Sequence, residues 1–118
     1  MVAVLLRAEY IAFGVAGVVL WFAQGGGLIW LLPGLLAPDL SIAGYAAGPR
    51  IGAVVYNAVH NLVLALALVG IGFFIASTLI VLAGAVLIAH IGMDRTSGFG
   101  LKYATSFQDT HLGRIGRS

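Results

Sequence analysis

Four apolar runs, parted by short polar or glycine-rich breaks, give this chain its order: Val2–Phe22, Leu28–Ala46, Ile51–Phe74 and Thr78–Met93. A helix that crosses a membrane needs about 20 predominantly apolar residues, and each run comes near or passes that length. Gln24-Gly25-Gly26-Gly27 reads as an uncharged turn after the first. The link near Ala76-Ser77 is so short that the last two runs predict an antiparallel hairpin. Pro33 and Pro38 interrupt the second run, and Pro38, having no N–H for the carbonyl of Gly34, predicts a kink. Trp21-Phe22-Ala23 lacks a small-x-small cleavage pattern, so the first run is expected to stay as a span.

The predicted fold is all-α: a polytopic membrane protein with a four-transmembrane-helix bundle over residues 1–95. Residues 96–118 form a C-terminal tail whose Phe99, Tyr103 and Phe107 predict packing on the cytoplasmic face. Small residues favour close helix contacts in lipid, and Ala12/Ala16, Gly44/Gly48 and Ala85/Ala89 supply the spacing, as many pairs would in a chain with 17 glycines.

Composition turns this pattern into a statement about solvent. The 118 residues are 61% hydrophobic and 8% charged, with a mean hydropathy of +1.08. A soluble domain carries about 25% charged residues, so lipid must face most of this surface. Six basic residues and a net charge of +2 make no nucleic-acid surface. They act instead as orientation signals. Arg7, Arg50, Arg95, Lys102, Arg114 and Arg117 fall at one set of helix ends, while the Gln24–Gly27 and Ser77 turns carry none. The positive-inside rule then puts both termini and the Gly48-Pro49-Arg50 loop in the cytoplasm. With no cysteine, disulfides, thiolate metal sites and cysteine nucleophiles are excluded.

The ionisable residues inside the runs carry the candidate chemistry. Glu9, Asp39 and His60 lie within predicted spans, and His90 and Asp94 at the end of one. Such a group costs about 2.5–3.5 kcal/mol on insertion scales, so it faces the bundle interior and takes a partner. His90 and Asp94 are four apart, hence on one helix face. Tyr56, Asn57, His60 and Asn61 form a polar stripe on the third helix, readable as a site or as hydrogen-bonding glue. Asp39 follows the Pro38 break, where irregular backbone can line a cavity; it can equally cap freed N–H groups. All five ionisable groups are expected in the cytoplasmic half, near one another. Glu9 can pair with Arg7 or Arg50, and His111 can reach the site mouth from the tail.

The segments APDLS, GYAAGPRIGAVVYNAVH, AHIGMDR and GFGLKYATSFQDTHLGR resemble the small bacterial integral-membrane family catalogued as domain of unknown function 4260, from about Glu9 to Ile115. That resemblance implies membrane localisation and names no reaction. More loosely, PD, then a mid-helix His, then HxxxD is similar to inner-membrane proteins described as metal-dependent hydrolases.

Two readings of different kind follow. In the first, His60, His90 and Asp94, with His111 or Glu9 as an extra ligand, hold a divalent metal together with Asp39. Imidazole and carboxylate suit zinc, iron or manganese. Asp39, Asn57 and Arg50 then serve a hydrolytic reaction on a lipid or other hydrophobic substrate, with Asn57, Tyr56 or Arg50 orienting it. In the second, the chain is a non-catalytic subunit of a larger membrane complex, its polar stripe holding helices in register. Haem ligation by His60 and His90 and a proton or ion pathway stand behind these two. Partners are membrane lipids and either further copies of the chain or other membrane subunits.

Overall fold

The computed structural model describes residues 2–97, 109–110 and 112–114. Five α-helices dominate it: α1 (Val2–Ala23), α2 (Leu28–Leu36), α3 (Pro49–Val59), α4 (Leu62–Phe74) and α5 (Thr78–Thr96). A 3₁₀ segment, Ala37–Ala47, continues α2. Two-residue strands, β1 (Asp109–Thr110) and β2 (Gly113–Arg114), pair antiparallel in the tail.

These elements group into four stretches long and apolar enough to cross a membrane: Val2–Ala23, Leu28–Ala47, Pro49–Phe74 and Thr78–Thr96. The chain is a multi-pass membrane protein of the expected count. The second span changes character where Pro38, with no N–H for the Gly34 carbonyl, falls at the start of the 3₁₀ segment, whereas Pro33, also expected to interrupt the run, is carried inside α2. The third span departs from the continuous helix expected over Ile51–Phe74. It breaks at His60 and Asn61, where Asn61 takes an extended backbone (φ −110°, ψ 145°) and its side chain accepts from the Leu64 N–H. An asparagine in that role is a helix N-cap, so α4 starts afresh in mid-span.

α5 is the axis on which the other spans pack. Nine of its 19 residues are buried, whereas in α1 only Gly17 and Trp21 are. α1 runs antiparallel along it with almost touching backbones. A Cβ on Gly17 would fall 2.5 Å from the Ala89 nitrogen and 2.6 Å from the Ala85 carbonyl oxygen, and one on Gly92 would fall 2.4 Å from the Gly14 nitrogen. Of the three small-residue pairs, then, Ala85/Ala89 forms a helix contact. Gly44 packs on Val55 of α3 instead, and Ala12 and Ala16 are exposed. α4 lies against another side of α5, with Ala65, Leu87, Ile88 and Ile91 as a shared core. At the far end Trp21, Leu31 and Ala85 pack together, and the Trp21 indole donates to the Gly27 carbonyl at 3.1 Å to close the first turn.

The 3₁₀ segment and α3 form a hairpin about Gly48, whose φ of +108° suits a residue without a Cβ. Gly52 leaves room for the Tyr45 ring. Leu5, Ile11, Val19, Leu32, Val54, Val63, Phe74 and Leu79 remain exposed, as the lipid-facing surface of a bundle should be. The expected tail domain, 96–118, lies mostly outside the described residues, as do Phe99, Tyr103, Phe107 and His111.

Candidate metal centre

Four side chains from three spans meet where the second and third spans are both irregular. Asp39 comes from the 3₁₀ segment, His60 from the last residue before the mid-span break, and His90 and Asp94 from consecutive turns of α5. One ligand-capable atom of each lies within 4.8 Å of all the others. His60 Nε2 is 3.1 Å from His90 Nε2, 3.5 Å from Asp39 Oδ1 and 3.9 Å from Asp94 Oδ2. His90 Nε2 is 3.2 Å from Asp39 Oδ1 and 3.0 Å from Asp94 Oδ2.

Backbone carbonyls determine what these nitrogens can do. His90 Nδ1 is hydrogen-bonded to the Leu35 carbonyl, and His60 Nδ1 sits 2.9 Å from the Tyr56 carbonyl. A carbonyl only accepts, so each Nδ1 carries a proton, and a ring that is neutral then turns a bare Nε2 inward. Ser41 Oγ lies 3.4 Å from His60 Nδ1, but its own proton is directed to the Pro38 carbonyl at 2.8 Å. With both rings neutral, two imidazole lone pairs and two carboxylate oxygens converge with no hydrogen between them. Such a group holds together only if a cation or added protons sit inside it.

The separations suit a metal ion. Bonds of about 2.0–2.1 Å in a tetrahedron put ligand atoms about 3.3 Å apart, and five of the six pairs here lie between 3.0 and 3.9 Å. Carbonyl bonds to the outer nitrogens are also how metal-bound histidines are commonly oriented. Around them, the Tyr56 ring stacks on His60 with centroids 3.7 Å apart, and Tyr56 hydrogen-bonds Asp94 through its side chain. The two histidines are shut away, with side chains 4% and 0% exposed, whereas Asp39 is 43% exposed. The cluster is therefore closed on three sides and open at Asp39.

The other expected site residues are placed as follows. Asn57 is half-buried on α3, and its carbonyl accepts from the Asn61 amide at 2.9 Å. Asn61 belongs to the cap of α4, so the polar stripe divides between a ligand and a helix boundary. Arg50 is exposed in the first turn of α3; the arginine that reaches the cluster is Arg95, donating to the His60 carbonyl at 3.4 Å with its guanidinium over the Tyr10 ring. Glu9 is exposed on α1, outside the four-residue group. His111 lies outside the described residues. The supporting contacts of Leu35, Ser41 and Arg95 were not foreseen. Two of them use main-chain oxygens, which no residue type advertises, although Arg95 directly follows Asp94.

The chain belongs to the family described as Domain of unknown function (DUF4260), whose model matches residues 3–115. No curated protein and no solved structure matches it.

Proposed function

We propose that His60, His90 and Asp94 bind one divalent metal ion with Asp39 beside its open fourth position, and that the centre hydrolyses a lipid or similarly hydrophobic substrate at the membrane. The observation that carries this reading is the convergence of two Nε2 atoms and two carboxylates while both Nδ1 atoms are held by carbonyls. A donor set of two imidazoles and a carboxylate without sulfur suits zinc, iron or manganese.

A metal of this kind lowers the pKa of a bound water towards about 7 and polarises the bond to be cut. The protein supplies the rest. His60, His90 and Asp94 are the enclosed ligands, and Asp39, at the open edge, is placed to take the proton of the attacking water. Water adds across an ester, which leaves as acid and alcohol. Arg95, which donates to the His60 carbonyl, and Asn57 and Arg50 of α3 are the candidates for orienting the substrate.

The antiparallel packing of α1 and α5 brings Tyr10 next to Arg95, so the start of the first span and the end of the last share one face. Because Arg7, one turn before Tyr10, also falls at that face, we assign it to the cytoplasm of a bacterial inner membrane. Reporter fusions at Gly26 and Ser77 should then read periplasmic, and a fusion at Gly48 cytoplasmic; a cytoplasmic signal at Gly26 would reverse the assignment.

A non-catalytic subunit of a membrane complex is favoured by a different observation, the near-complete burial of both histidines. Added protons rather than an ion would then hold the cluster. Elemental analysis of detergent-purified protein separates the two. About one metal per chain, lost in His90→Asn, supports the metal centre; no metal after reconstitution with zinc, iron and manganese in turn assigns the cluster to structure.

A further inference from the structure

Beside the candidate centre, on the lipid-facing side, α1 and α5 leave a groove of about 430 Å³. Its walls are Ile11, Val15 and Val18 of α1, Met93 of α5, and Leu35 at the end of α2. Beyond Leu35 the second span becomes the 3₁₀ segment and turns to pack on α3. That departure exposes the groove.

We propose that this groove binds one acyl chain of an anionic glycerophospholipid, with the lipid's phosphate at the Arg95 end. The groove follows α1 from Tyr10 to Val19, nine residues or about 14 Å at helical rise. That is about half of a ~30 Å hydrocarbon core, the depth of one leaflet, and it runs along the helix as acyl chains do. Its walls are apolar except at one end, where Tyr10, Thr96 and Ser97 gather. The Arg95 guanidinium lies over the Tyr10 ring, 5.2 Å from its centroid, at that same end. A cation beside Tyr10 and Ser97 at the headgroup level, with hydrocarbon-like walls beyond, matches an anionic phosphate followed by a chain; the Thr96 hydroxyl is spent on the Gly92 carbonyl.

Leu35 joins the groove to the centre. Its side chain lines the groove, its carbonyl orients His90, and Asp39 lies one turn further along the chain. Met93 in the groove wall is next to Asp94 in the cluster. A lipid seated here is the substrate class of the proposed centre, and that catalytic part rests on the metal reading; binding in the groove does not.

The test is native mass spectrometry of the full chain released from phosphatidylglycerol nanodiscs, with metal content measured on the same samples. Wild type should retain about one phosphatidylglycerol per chain. Val15→Trp, which fills the groove from an exposed wall position, should lower retention by about tenfold and leave metal content unchanged. Ile11→Trp serves the same purpose should Val15→Trp fail to fold. Ala16→Trp, on a different face of α1, should retain lipid as wild type does. Equal retention by the folded groove variants, or an equal loss with Ala16→Trp, would overturn the proposal. Retention sensitive to Val15→Trp in a protein that takes up no metal would uphold the groove and defeat the metal centre. Stoichiometric metal with retention indifferent to Val15→Trp would do the reverse.

Discussion

The two opposite faces of α5 are buried by different means. Ala85, Ala89 and Gly92 face α1, where backbone lies against backbone. His90 and Asp94 point roughly the other way round the helix, at about 100° per residue, into the wedge where Asp39 and His60 arrive. The first face is closed by the absence of side chains, the second by the mutual need of polar ones. Neither uses greasiness as its signal, because in lipid an apolar side chain is as well placed outside as in. α1 and α5 are both apolar spans, yet one is nearly all exposed and the other half buried.

The largest effect should come from the small-residue face. Gly17→Leu puts a branched side chain into the α5 backbone, where neither helix can yield without separating. Its cost should exceed the ~1–3 kcal/mol usual for overpacking, read as loss of monodisperse protein and of the thermal transition in detergent. A Gly17→Leu protein with wild-type melting would mean that α1 is not held as described.

On the polar face the order of effects should invert. His90→Asn and Asp94→Asn should each weaken metal binding by at least the 10–100-fold typical of changes around a metal site, while the protein extracts in the same form as wild type. Elemental analysis and size-exclusion profiles on one preparation check both halves of that statement. Asp39→Asn should retain more metal than either, since Asp39 is the exposed member of the set. Smaller still, Tyr56→Phe keeps the ring stacked on His60 and removes only the hydroxyl that meets Asp94, so metal affinity should fall by no more than about tenfold. Protons compete with metal for imidazole and carboxylate alike. Wild-type occupancy should therefore fall as pH is lowered and recover when it is raised. Occupancy indifferent to pH would place the metal elsewhere.

The sequence shows the four spans because hydropathy and turn residues report length directly. The His/Asp group is legible for a related reason: ionisable residues in hydrocarbon must find one another. The break at Asn61 is hidden, since a run of apolar residues on both sides reads as one helix whether or not it is continuous. An asparagine after a histidine, three residues before Leu64, is the one cue to that cap. Leu35 is hidden more deeply, because its contribution to His90 is a carbonyl that any residue would have.

The mid-span break has a consequence for how the protein is made. Asp39 and His60 travel together on the hairpin formed by the 3₁₀ segment and α3, whereas His90 and Asp94 are delivered later, by α5, the fourth of the described spans. A nascent chain that has reached only Ser77 holds half of the ligand set, with two bare acceptors and nothing to complete them. The centre therefore closes after translation of α5, and any ion it holds arrives last, as a clasp on a bundle already inserted.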